Sequence, residues 1–380
     1  MEFTIFTLLI SIFWVSLFAA LIPVLRRRMS FLKYFSIYPL ILLVVFCILR
    51  LFLPVEWPFT RIINSRKILP PIQTFLREPF LQTDVISITP SFILLGIWGI
   101  GICITALRRL CIYYRFQQFL NRQPDSHNPQ IEEILCEINP HNPLRNAKII
   151  IHPSIKSPAV LNYIHPILLL PDMSFSKEEL LGILMHESAH YKYGHLIVKY
   201  ITECICIFFW WNPFFKKLSA EMEHLLEMHS DKYVCRNLDK KQQKVYLSCI
   251  VRILENLRKG TYSSPSGCSL VAYEDDEKLK QRFQMILSGA FNSKKKWDFL
   301  IVPTLILLFL LSYLVVLQPY SEPSQEDVDS GQLVTSEYFF VKTDSGYALY
   351  DPKHHYITTI AKPEGELLNL KIYEKLEDAP

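Results

Sequence analysis

Four long apolar runs constrain this chain more than any other feature. They cover approximately residues 3–25, 37–53, 85–107 and 298–317. A helix rises about 1.5 Å per residue and needs roughly 20 residues to cross the hydrocarbon core, so each run predicts a membrane span. The positive mean hydropathy agrees, while a charged fraction of 20% leaves material for a water-soluble domain. The first run does not read as a secretory signal, because its charge, Arg26, Arg27 and Arg28, follows the apolar stretch instead of preceding it.

Lysine and arginine beside the spans set their orientation. Segment 26–36 carries Arg26, Arg27, Arg28 and Lys33 without an acid, Arg108, Arg109 and Arg115 follow the third run, and Lys294, Lys295 and Lys296 precede the fourth. These flanks are expected in the cytoplasm. The acidic Glu322, Glu326, Asp327 and Asp329 beyond the fourth run fit an outside tail, so both termini are expected to be extracellular. The chain then divides into three spans with short loops (1–107), a cytoplasmic domain (108–297), a fourth span (298–317) and an extracellular tail (318–380).

A net charge of +4, scattered in short clusters, predicts the lipid bilayer as a partner and no direct contact with nucleic acid. None of the nine cysteines falls in an outside segment, and no disulfide framework is expected.

In the cytoplasmic domain, "AKIIIHPSIKSPAVLNYIHPILLLPD" gives short apolar runs broken by proline, serine and asparagine, the pattern of two or three strands. A helix follows from "SKEE", where Ser176 and Glu179 have capping-box spacing, and continues into "LMHESAHYKYGHL". On that helix His186 and His190, four positions apart, differ by only about 40° around the axis, so two imidazoles share one face and can hold a zinc ion. Glu187 stands where it can reach a water at the metal's open position. His195 points about 180° away from His186 on a straight helix, and Gly194 beside it suggests that the helix ends, so His195 is not expected to be a ligand.

Zinc needs a third protein ligand. "LSAEMEHLLEMHSDKYV" reads as a helix from about 214 to 236 with Glu223, Glu227 and Asp231 on one face, His224 near them and His229 elsewhere. Spacing leaves Glu223, Glu227 and His224 all in contention. The apolar part of "LIVKYITECICIFFWWNPFF" is too short to span. It is either a buried core helix or a segment that docks on the inner leaflet through Trp210 and Trp211. In the tail, "EYFFVK", "YALYD" and "HYITTIA" are strand-like and suggest a minimal packed hairpin, with His354 and His355 as surface residues on opposite faces of a strand.

Taken together, the order of spans, "SPAVLNYIHPILLLPD", "HESAH", "WWNPFF" and "EMHSD" resemble the BlaR/MecR family of membrane zinc metallopeptidases, over roughly residues 1–317. The resemblance implies a membrane α-helical protein with a cytoplasmic α+β gluzincin-like metallopeptidase domain, the small extracellular β tail lying beyond it. It implies that Glu227 joins His186 and His190 as a Zn2+ ligand, that Asp231 orients a ligand histidine, and that Glu187 is the general base. The strand around 158–163 would be the edge against which an extended substrate is laid. The implied partner is a cytoplasmic protein substrate, a transcriptional repressor of the winged-helix type, cleaved in antirepressor signalling; a second copy of the chain is a further candidate partner.

The chain departs from the family pattern at Asn162, where glycine is common, and at Ser230, where cysteine is common. Asparagine tolerates the left-handed backbone that such a turn needs. The tail has no S-x-x-K sequence, so β-lactam binding is not expected. Two other readings compete: a quality-control peptidase for membrane proteins, and a non-catalytic receptor or scaffold with a structural zinc. An intact Glu187 weighs against the last.

Overall fold

The computed structural model describes residues 5–28, 31, 34–55, 57–65, 67–82, 87–139, 143–259, 276–289, 291, 297–319, 338–343, 346–351, 354–360, 367, 370–374 and 376. The flanking charges at Lys33, Lys294, Lys295, Lys296, Glu322, Glu326, Asp327 and Asp329 lie outside the described residues. The chain forms two compact units, residues 1–63 with 74–318, and residues 64–73 with 319–380.

The main helices of the first unit are, in chain order, α1 (Ile5–Arg27), α2 (Tyr38–Phe52), α3 (Pro90–Arg122), α4 (Pro129–Ile138), α5 (Lys177–Lys192), α6 (His195–Phe208), α7 (Pro213–Asn237), α8 (Lys240–Lys259), α9 (Asp276–Leu287) and α10 (Asp298–Leu311). By length and composition α1 and α3 can cross a membrane, whereas α2 and α10 are shorter apolar helices of 15 and 14 residues. The fourth apolar run thus leaves the helix sooner than its hydropathy suggests. Beyond Leu311 the β-branched Val315 and Val316 enter a strand, Val315–Pro319, as their preference for extended backbone favours.

The third run behaves oppositely. Thr89 caps α3 by accepting from the Phe92 N–H, Pro90 occupies the first turn, and the helix continues to Arg122, well past the expected end at 107. Its last turns bury Phe116 and Leu120 against Ile150, Leu161 and Leu169, so a single helix runs from the apolar stretch to these strand residues.

Helix α1 packs on both α2 and α7. Val15, Phe18, Ala19 and Ile22 share one buried cluster with Leu40, Leu43 and Val44 and with Met222, Leu225 and Leu226. Polar contacts reinforce both ends. Near one end, Arg50 of α2 is buried, donates to Ser11 Oγ of α1 at 2.6 Å and to the Ser312 carbonyl at 3.3 Å, and stacks on the Tyr313 ring at 4.1 Å. There too Tyr313 donates to the Leu53 carbonyl, Thr60 to the Tyr313 carbonyl and the Arg61 N–H to the Leu314 carbonyl. At the other end Arg26 is buried in an ion pair with Glu221 of α7.

Three strands form the sheet, β1 (Lys148–His152), β2 (Ala159–Leu161) and β3 (Ile167–Pro171), in the order β1-β3-β2. Strand β1 is parallel and β2 antiparallel to the central β3. All five residues of β3 are buried, as its uninterrupted apolar sequence requires. Leu168 and Leu170 meet Leu180, Ile183 and Leu184 of α5, which fixes the motif helix on the sheet.

The second unit holds a four-stranded sheet of β4 (Phe339–Thr343), β5 (Gly346–Tyr350), β6 (Tyr356–Ile360) and β7 (Lys371–Tyr373), in the order β6-β5-β4-β7 around Phe340, Leu349 and Leu370. The expected hairpin is therefore extended by β7, parallel to β4, whose three residues are too few to show an alternating pattern. His354 and His355 are not on opposite faces of a strand. They precede β6 in a turn, where His354 has φ 63° and exposed His355 lies 3.1 Å from Asp351.

Candidate metal centre

Helix α5 begins as its sequence dictates. Ser176 Oγ accepts from the Glu179 N–H at 3.2 Å, and Glu179 returns the bond to the Ser176 N–H at 2.8 Å, satisfying two otherwise orphaned donors. Every residue from Gly182 to His190 is buried, so the helix is enclosed on all sides. Such burial leaves no room for spare atoms: a Cβ at Gly182 would stand 2.7 Å from the Tyr246 ring of α8.

His186 and His190 face α7, and Glu227 meets them there. Their Nε2 atoms are 3.1 Å apart, His186 Nε2 is 3.1 Å from Glu227 Oε2, and His190 Nε2 is 3.4 Å from Glu227 Oε1. One ligand atom from each residue lies within 4.8 Å of the others. A tetrahedral ion with bonds of about 2.0–2.1 Å separates its ligands by about 3.3 Å, so the triangle has the size such an ion needs. Charge fits as well. Burial disfavours protonated His186, yet Asp231 and Glu227 outweigh it and carry the ring up to about 10, so the site favours a positive charge that a bound cation would supply. His190 is pushed down to about 4, chiefly by burial.

The other candidates for a third ligand have different partners. Buried His224 bonds through Nε2 to Gln281 Oε1 at 3.0 Å, and Glu223 does not join the group that can hold an ion. Asp231, fully buried, accepts from Tyr246 Oη at 2.8 Å and from Arg282 Nε and Nη2 at 2.7 and 3.0 Å. It lies 3.3 Å from His186 Nδ1, and Tyr246 Oη lies 2.8 Å from the same nitrogen. Burial opposes ionisation of Asp231, but Arg282 and His186 hold its carboxyl well below the usual range.

His195 is outside the ligand triangle, as expected, but it is not remote. Gly194, at φ 66°, ends the α5 segment and restarts the chain as α6, which swings His195 back. Its Nδ1 lies 3.0 Å from His190 Nδ1 and its Nε2 lies 3.0 Å from His229 Nδ1. Sequence reasoning missed this contact, together with Tyr246, Arg282 and Lys199, whose Nζ lies 3.6 Å from Glu227 Oε1.

Glu187 is buried against the sheet. Burial pushes its carboxyl up, and the nearby main chain of Val160 in strand β2 offsets a small part of that rise. Among the described residues strand β2 pairs only with β3, so its other edge carries no described strand. Asn162, just beyond it, adopts φ 55°, the left-handed conformation expected at that turn. Next to it Tyr191 donates to the Tyr163 carbonyl at 2.6 Å with the two rings stacked.

The apolar segment between the two site helices is not a buried core helix. Ile197, Tyr200, Ile201 and Phe208 of α6 are exposed, and its end docks on α3. There Trp98 Nε1 donates to the Phe208 carbonyl at 2.9 Å and Trp210 Nε1 to the Trp98 carbonyl at 3.3 Å. The Trp210 indole covers Gly101 so closely that a Cβ there would meet it at 2.1 Å.

Comparison with known proteins adds two findings. A sequence model of the BlaR1 peptidase M56 family matches residues 4–286. The regulatory protein BlaR1 of Bacillus licheniformis is similar to this chain, 35% identical over 102 residues, which are 26% of the chain and 17% of that relative's length.

Proposed function

The chain belongs to the BlaR1 peptidase M56 family, and from that premise we propose that it is a membrane-embedded zinc metalloendopeptidase cleaving a cytoplasmic protein in transmembrane signalling. The observation that carries the chemistry is the triangle of His186, His190 and Glu227 with Glu187 next to it in the same helix. These three residues would hold the zinc ion, which when bound supplies a Lewis acid and an acidified water. Glu187 accepts a proton from the attacking water at its carboxylate and returns it to the leaving amine nitrogen. Its raised pKa suits that exchange, since a base closer to neutral also gives its proton back. The edge of β2 that no described strand pairs would offer main-chain partners to an extended substrate segment.

Membrane placement follows the same reading. Four spans with both termini outside put the peptidase domain in the cytoplasm, with α6 lying against the inner leaflet through its exposed apolar face. Helices of 14 and 15 residues reach only about 21–23 Å, short of the roughly 30 Å core, so backbone beyond α2 and α10 lies at membrane depth. Such backbone is tolerated only where its polar groups find partners within the protein. The bonds among Arg50, Leu53, Thr60, Ser312 and Tyr313 supply them.

The similarity to a protein described as regulatory favours a signalling role, and the repressor substrate is carried by the family resemblance alone. The test compares proteins cleaved in cells carrying the normal chain and Glu187→Ala. A single cytoplasmic regulator spared in the variant supports this reading; broad loss of misfolded membrane proteins turns it towards quality control, and unaltered cleavage by Glu187→Ala overturns the mechanism.

A further inference from the structure

Helix α9 carries two adjacent buried polar residues whose partners lie on different parts of the protein. Arg282 places two nitrogens on Asp231, and its third, Nη1, is 3.5 Å from Glu227 Oε2. The two acids are four residues apart on α7, so one guanidinium fork spans one helical turn of carboxylates, a geometry that a lysine ammonium cannot reproduce. Through Asp231 the same cation acts on Tyr246 and on His186 Nδ1.

Gln281 faces the first apolar helix. Its Oε1 accepts from Arg26 Nη1 at 2.7 Å, and its Nε2 donates to the Arg26 carbonyl at 2.7 Å. Arg26 is in turn paired with Glu221, which Lys278 of α9 also approaches at 3.5 Å. Lys278, Gln281 and Arg282 therefore run in step with Glu221, His224 and Asp231 along α7. Arg26, Gln281 and Arg282 are all at least nine-tenths buried. Burying so many charges is a poor route to stability, because desolvation offsets most of the Coulomb attraction, whereas fixing positions is a use that such pairs serve well.

We propose that Arg282 is a positioning residue for the metal centre, and that Gln281 makes the end of α1 part of its support. The proposal rests on the metallopeptidase reading. In it, Arg282 keeps Glu227 and, through Asp231, His186 in the spacing required for an ion. A shift of α1 against α9 is felt at the ligands, because adjacent residues of one helix grip both.

The test uses the full chain in detergent, with zinc affinity measured by chelator competition, melting of the metal-free protein, and kcat and KM on a peptide substrate. Arg282→Met is expected to weaken zinc binding by about ten- to a hundredfold and to lower kcat, with KM within about twofold. Arg282→Lys, which keeps the charge without the fork, should fall between it and the normal chain. Gln281→Leu should shift zinc affinity in the same direction by a smaller factor. If Arg282→Met does not fold, Arg282→Lys and Gln281→Leu decide. Normal zinc affinity in any folded Arg282 variant overturns the role of Arg282, and normal affinity in Gln281→Leu overturns the part given to α1. A normal chain that binds zinc and cleaves nothing would instead overturn the peptidase reading, with the zinc measurements still deciding this one.

Discussion

The Nδ1 atoms of His190 and His195 face each other at 3.0 Å. Burial pushes His195 down to about 2, so its ring is neutral and carries a single N–H. A His190 ring that ligates through Nε2 has its proton on Nδ1, donates it to His195 Nδ1, and leaves His195 Nε2–H to donate to His229. Three imidazoles thereby fix one tautomer at the candidate ligand. His195→Ala is expected to lower zinc affinity by about ten- to a hundredfold, and His195→Asn to recover part of it, as read by chelator competition. Unchanged affinity in His195→Ala would show that the contact does not orient His190.

Glu227 and its neighbours on α7 should separate cleanly. Glu227→Ala is expected to lose bound zinc, while Glu223→Ala and His224→Ala retain it, as measured by metal content after dialysis. Zinc retained by Glu227→Ala and lost from either neighbour would reassign the third ligand.

Gly182→Ala adds one methyl group where the Tyr246 ring already stands at 2.7 Å. Overpacking of this kind costs about 1–3 kcal/mol, and the displaced Tyr246 should also loosen the His186 and Asp231 contacts. A lower melting temperature together with weaker zinc binding is expected. A variant as stable as the normal chain would mean that α8 moves aside freely.

Cys235 and Cys249 are buried thiols raised to about 12, in both cases chiefly by burial. A raised pKa means a smaller thiolate fraction at every pH below it, so at about pH 8 neither should react appreciably with a maleimide. Exposed Cys111 should react first, and all three should react once the protein is denatured. Modification of native Cys249 at a rate like that of Cys111, followed by mass spectrometry, would contradict the packing of α8 against α5.

Local chemistry accounts for what could be read from the residues alone. The capping box and the spacing of His186 and His190 depend on neighbours within one helical turn, and both are as the sequence suggested. Glu227 could only be narrowed to three candidates, because helix spacing places Glu223, His224 and Glu227 near one another without saying which meets α5. Tyr246 and Arg282 reach the site from helices far along the chain, and no spacing announces them. His195 stays out of the ligand triangle as its spacing suggested, but reading Gly194 only as a helix end could not show that its left-handed turn brings His195 back against His190. The same limit applies to α10: hydropathy marks the apolar run to 317 but is blind to the bonds that let the helix stop at Leu311.

That early stop has a consequence for the surrounding lipid. On the four-span reading, α1 and α3 match a full bilayer while α2 and α10 fall short by several ångströms, and mismatch is relieved by thinning the lipid or tilting the longer helices at a cost of fractions of a kcal/mol per Å. On that reading the Arg50 and Tyr313 cluster marks where the short side of the bundle ends, and acyl-chain length would be a variable to which the bundle adjusts. Thin bilayers suit the short pair and thick ones the long pair, and the compromise between them is drawn at one buried arginine.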